Sequence, residues 1–299
     1  MNVDQAYLQY QSELRHSVLN ALRARNSYPI QKELFIALVP LWTLIYTFLD
    51  EGISVNPTKE LLLSHLSSVG DIEKFVQVAS DHKVERNFGS ELKLATKAVA
   101  FTSYFNELVS DSLLLTNSFH LYDYRGSVIA LRCMLEDLYR HLYYKDNREH
   151  FMQVHELGMP EHDIGMAPKG FRDYLKRASY LRDVLALKDA NWSFNVGGKS
   201  FSGLGSLNDA LYARYSSFVH GAAPRTLNQF ASNLDFAYDA ARGAEVLDLT
   251  KHFVLLAVSF LIFGHHEYFS RFNEHTKRVV MGAFVIPAQR QKIRELARI

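Results

Sequence analysis

The sequence predicts an all-α protein: a helical bundle with an N-terminal helical extension and one small β-hairpin. Three observations predict it. Apolar residues recur at helical spacing, as at Leu94, Ala98, Phe101, Phe105, Leu108, Leu115 and Phe119. Two uncharged runs, the 16 residues from Leu34 to Leu49 and the 12 from Phe253 to Gly264, read as core helices. A membrane-spanning helix needs about 20 apolar residues, and the first run is interrupted by Pro40, Thr43 and Thr47. Only Trp192 to Phe201 alternates apolar with polar, around Gly197-Gly198, as a hairpin does.

In order along the chain, Asp4 to Arg25 reads as an amphipathic helix, and Pro29 suits the first turn of a second that runs to about Asp50. Asn56-Pro57 caps a helix to Ser68, and Gly70-Asp71 caps a short one to about His82. The segment Asn87 to Ser90 marks a domain boundary. A long helix from Glu91 then forms an antiparallel hairpin with the next, about Asp123 to Tyr144, turning near His120 to Asp123. The second helix carries its apolar stripe at Val128, Leu131, Leu135, Leu138 and Leu142. Residues 145–170 lose periodicity and predict a loop or irregular helix, after which Gly170 to Lys188 returns to helix. Ser206 is expected to cap the helix carrying Arg214, and Asp235 to Phe272 is expected to be one long helix. The domains expected are 1–88, a helical region of unassigned role; 89–275, the bundle; and 276–299, a basic C-terminal tail.

The 33 basic and 32 acidic residues give a formal charge of +1, so polyanion binding by bulk charge is excluded and only a local basic patch can serve. The tail supplies one, with Lys277, Arg278, Arg290, Lys292, Arg294 and Arg298 against Glu295. Cys133 is the only cysteine, so no internal disulfide forms, which fits a reducing cytoplasm. The first 16 residues carry Asp4, Glu13 and Arg15 without an apolar segment, so no secretory leader is expected. No membrane association is expected.

Several motifs fail on spacing. Gly198-Lys199-Ser200 ends like a phosphate-binding loop, but that pattern requires glycine where Ser193 stands. The 13 histidines include no His-Glu-x-x-His, so neither a metal nor another cofactor is expected. Ser217 and His220 are not framed by Gly-x-Ser-x-Gly. Two patterns remain. Arg132, Glu136 and Arg140 recur every fourth residue beside an apolar stripe, as either a surface ion-pair ladder or a partly desolvated network. Arg214 and His220 stand six apart, ahead of Gly221 and Pro224. On one straight helix they are separated by about 240° of rotation and about 9 Å of rise. They meet at one phosphate only if the helix ends between them or a second copy of the chain supplies the partner.

This order, a helical hairpin whose second arm bears Arg-x-x-x-Glu followed by a helix ending Arg-x5-His-Gly and a long apolar helix, resembles the HEPN superfamily (higher eukaryotes and prokaryotes nucleotide-binding domains). ALRCMLEDLYRHLYY, residues 130–144, and YARYSSFVHGAA, residues 212–223, are similar to its bacterial branch, and the resemblance covers roughly 91–272. It implies a metal-independent endoribonuclease of a bacterial toxin or antiphage defence system. In that chemistry His220 would be general acid or base, Arg214 would stabilise the phosphorane-like transition state, and Arg132 and Glu136 would orient them, Glu136 by holding Arg214. Ser217, Arg290, Lys292 and Arg294 are the expected RNA contacts. The resemblance further implies a homodimer with a composite cleft and an antitoxin or regulatory protein as partner. A non-catalytic HEPN-like module docking a partner protein or nucleotide stays open beside it, and the near-neutral charge favours that second reading.

Overall fold

The computed structural model describes residues 28–55, 104–155, 157–219 and 238–299, and for residues 28 and 50–55 the backbone alone. His220, Gly221 and Pro224 lie outside the described residues, as do the elements expected at 4–25 and 56–82 and the boundary at 87–90. The described chain is almost wholly helical. Helix α1 spans Tyr28–Val55, α2 spans 104–120, α3 Tyr124–Asp146, α4 Arg148–His155, α5 Pro168–Leu175 and α6 Arg182–Leu185. After the strands β1 (Ser193–Val196) and β2 (Lys199–Ser202) come α7 (Leu204–Val219), α8 (Ala240–Gly264), α9 (His266–Phe269), α10 (Glu274–Val280) and α11 (Pro287–Ala297).

Helix α8 is the axis of the bundle. Its apolar residues are buried nearly all round because α1, α3 and α7 pack against it from different sides. Both α1 and α8 are long and apolar enough to cross a membrane; α8 is 78% buried, as a core helix is, whereas α1 is 39% buried and lays one face on the bundle. Pro40 does not end α1. Losing its N–H leaves only the Ile36 carbonyl without a helical donor, at an exposed residue where water can reach.

The hairpin of α2 and α3 turns in three residues, with Tyr122 at φ 61° and the Asp123 carboxylate accepting from the Gly126 N–H at 2.8 Å as an N-cap. The described part of the predicted stripe, Phe105, Leu108, Leu115 and Phe119, is buried, and so are all five apolar positions named on α3. Trp42 on α1 donates its indole N–H to the Ser112 hydroxyl at 2.7 Å, tying α1 across α2.

Three expected elements differ. The long C-terminal helix stops at Gly264, where His265 leaves helical geometry (φ −127°, ψ 37°) and the chain restarts as the single turn α9. Gly170 to Lys188 is not one helix: α5 ends at Leu175, a 3₁₀ turn covers Ser179–Leu181, and α6 follows. Ser206 is not a cap, since α7 starts at Leu204 directly after Gly203, whose φ of +88° is left-handed. The β-hairpin pairs Ser193 with Ser202 through Val196 with Lys199, closing on Gly197-Gly198. One contiguous core runs from Leu34 on α1 to Ala297 on α11. The segment expected as a basic tail therefore contributes Val280, Met281, Phe284, Ile293 and Ala297 to the same interior as the bundle.

Candidate functional site

Helix α7 presents two opposite faces, and the residues expected to share a site divide between them. Tyr212 and Arg214 are two positions apart, about 200° around the helix. The Tyr212 face meets α3 and α5: the Arg132 guanidinium lies 3.7 Å over the Tyr212 ring, and that of Arg172 lies 4.5 Å from the same ring. Arg132 reaches Glu136 at 2.5 Å; Glu136 in turn meets Arg140 at 3.5 Å, and Arg140 pairs with Glu161 at 2.9 Å. Arg132 is 6% exposed. The ladder is thus the partly desolvated network, wedged among three helices and closed by Glu161 from the loop after α4.

Arg214 faces the other way. It pairs with Glu245 on α8, its guanidinium lies 4.8 Å from the Phe218 ring, and the turn residue Gly197 rests against its Nε. Its side chain is 23% exposed, and the Nε–H is buried without a hydrogen-bond acceptor among the described residues. Glu245, not Glu136, is the carboxylate that positions Arg214. No sequence pattern pointed to Glu245, because it lies 31 residues on, within an apolar helix. The two helices are registered by Tyr215, which is fully buried and donates its hydroxyl to the Leu249 carbonyl at 3.1 Å.

Ser217, expected as a phosphate contact, donates its hydroxyl proton to the Arg214 carbonyl at 2.7 Å, so that proton is committed to the helix backbone. Arg290, Lys292 and Arg294 all lie on α11; Arg290 and Arg294 are exposed, while Lys292 is half-buried and pairs with Glu295 at 3.6 Å. The Arg290 Nε–H caps the Phe284 carbonyl at 2.5 Å. The structure thus brings Arg132 and Glu136 together and gathers the three α11 cations on one helix, while Arg214 stands apart from both groups.

Beside the α3 network, Asp137 and Asp111 lie against each other. Burial, and next the Asp111 charge, push the Asp137 carboxyl up to about 7; burial also raises Asp111. The pair holds one proton in common across much of the acidic range, because two adjacent carboxylates cannot both ionise cheaply away from water. Deeper in, His141 and His265 share a hydrogen bond between their Nε2 atoms at 2.6 Å, and burial holds His141 down to about 3 and His265 well below its usual range. Both imidazoles are neutral, so one Nε2–H donates and the other Nε2 accepts. Among the described residues, no group of three or more His, Cys, Asp or Glu side chains is arranged to hold a metal ion.

Comparison with family models, curated proteins and solved structures returns no match to this chain. The chemistry of the site therefore rests on its own geometry. A guanidinium pinned at one nitrogen by a carboxylate, flanked by an aromatic ring and a glycine turn, is held in one orientation and keeps further N–H donors for an oxyanion.

Proposed function

We propose that the chain is an HEPN-like, metal-independent endoribonuclease of a bacterial toxin or antiphage defence system. The observation that carries this reading is the fixed placement of Arg214, half-buried near the end of the described part of α7 and held by Glu245 six residues before His220. In the reaction proposed, an RNA 2′-hydroxyl attacks the adjacent phosphorus; the 2′-O–P bond forms as the P–O5′ bond breaks. One base accepts the 2′ proton and one acid returns a proton to the departing 5′ oxygen. His220, with an unperturbed pKa of about 6.5, serves one of these roles at neutral pH. The Arg214 fork meets the negative charge gathering on the equatorial oxygens. A spacing of six sets side chains about 240° apart on any straight helix, and in this reading two copies of the chain related by a two-fold axis supply the two groups to each cleft. An antitoxin or regulatory protein would cover that cleft.

RNA cleavage with metal chelated tests the proposal. Wild type should cut, and Arg214→Ala and His220→Ala should each lose roughly a hundredfold or more. Mixing the two variants should restore activity through heterodimers carrying one intact cleft. Equal rates for wild type and His220→Ala would end the catalytic reading. One observation favours a second reading, the non-catalytic docking module: the Glu245 carboxylate already neutralises Arg214. A protein that binds RNA or a partner without cutting, and binds RNA more tightly as Glu245→Gln, would establish that module instead.

A further inference from the structure

A cleft of about 430 Å³ opens at the far end of the bundle, where α3 passes into α4 and α8 into α9. It shares no lining residue with Arg214 or Glu245. Its size falls within the range of small-molecule sites, roughly 300–1,000 Å³. Its walls are aromatic, from Tyr180, Phe263 and Tyr268, and the fully buried, neutral His265 contributes to its lining.

The walls are built rather than incidental. Asp146 accepts hydrogen bonds from the hydroxyls of Tyr174 and Tyr180 at 3.0 and 2.9 Å, and its other oxygen takes Lys145 Nζ at 2.5 Å. The Lys145 ammonium also lies 4.6 Å from the Tyr180 ring centroid. One carboxylate thus fixes both a wall and a cation. Gly264 lets α8 come in against that wall: a Cβ there would stand 3.7 Å from the Tyr180 ring and 2.5 Å from Leu142 Cδ2.

Two cations with donors left over line the cleft. An ammonium has three N–H groups, and a single carboxylate oxygen takes one of those on Lys145. Arg148, half-buried in the lining, has five and makes no ion pair among the described residues. The one opposing carboxylate in the lining, Glu267, is exposed at the edge. We propose that this cleft binds a small oxyanion carried on a flat ring, the ring between the aromatic walls and the phosphate or carboxylate on Arg148 and Lys145. Phosphate and carboxylate present the same chemistry to these two cations, so both belong in the test.

Titration calorimetry of the full-length protein with phenyl phosphate, benzoate and inorganic phosphate decides it. Phenyl phosphate or benzoate should bind saturably at one site per chain, and whichever binds more tightly names the natural oxyanion. The better of the two should bind at least roughly tenfold more tightly than inorganic phosphate. Arg148→Ala should weaken it by roughly tenfold or more, with Lys145→Gln giving the same loss should the first variant fail to fold. Tyr180→Leu should erase the advantage of the ring over inorganic phosphate. No saturable binding of either aromatic anion at millimolar concentration would overturn the proposal. So would an Arg148→Ala protein that binds like wild type, or inorganic phosphate that binds as well as phenyl phosphate, which would leave a simple anion patch. None of these readouts involves RNA cleavage, so this cleft and the Arg214 site stand or fall separately.

Discussion

Asp137 is the side chain on which solution conditions act most directly. Folded, it keeps its proton up to about pH 7; unfolded, it releases it near its usual 3.8. Between those values the folded state binds more protons, so stability falls as pH rises through this window; Arg140, 3.5 Å from the Asp137 carboxylate, offsets burial and the Asp111 charge only in part. Asp137→Asn removes that dependence. The variant's melting temperature should exceed wild type's above neutrality, and the difference should fade below about pH 4. Parallel curves for the two proteins would mean that Asp111 and Asp137 do not share a proton.

At the scale of elements, the join between the hairpin and α7 is the most constrained point. Gly203 stands at φ +88°, its N–H bonds the Trp192 carbonyl at 2.7 Å, and a Cβ there would come within 2.4 Å of the Leu187 carbonyl oxygen. Since backbone cannot move aside as a side chain does, Gly203→Ala should cost roughly 2–3 kcal/mol, read as a lowered urea midpoint at unchanged slope. This join also shows where sequence reading stops. The described part of the α2 stripe, the α3 stripe, the hairpin turn at Gly197-Gly198 and the core role of the second apolar run were legible, because each is a local period or a local turn signal, whereas the first run is buried along one face only, with Phe35, Ile36 and Tyr46 exposed. The start of α7 was misread because Ser206 looked like a cap, whereas a tertiary clash with Leu187 makes Gly203 the determining residue. The stop at Gly264 was missed because apolar and aromatic residues continue through Phe269 and Phe272, which pack in the core from beyond the break. The site was legible only in part. Arg132 and Glu136 pair at a spacing of four, as their pattern suggested, but the Arg214 partner comes from another helix and had no spacing to betray it.

For the molecule as a whole, α11 is a structural member as well as a source of charge. Ile293 and Ala297 are buried, the Gln289 amide donates to the Asn191 carbonyl at 2.7 Å, and His266 Nε2 meets the Ala297 carbonyl at 2.6 Å. Deleting residues 290–299 would therefore damage the core, by roughly 2 kcal/mol or more for the loss of Ile293 alone. Charge is better tested by Arg290→Gln with Arg294→Gln, both exposed. If α11 contacts single-stranded RNA, the pair should lower the slope of log affinity against log salt by roughly 1.4, about 0.7 per phosphate contact. An unchanged slope would leave α11 as a packing element only.

The packing of α1 on α8 and α10 also sets a timetable for synthesis. The buried face of α1, from Leu34 to Phe48, meets α2 early, where Phe48 stacks on Phe105, but its contacts with α8 and α10 wait for residues more than 190 positions later, at 240–280. A ribosome adding about 5–20 residues per second takes on the order of ten to forty seconds to cover that distance. Throughout that interval one of the most apolar stretches of the chain waits with α2 alone against it and without α8 and α10, which makes α1 the segment a nascent-chain chaperone would hold.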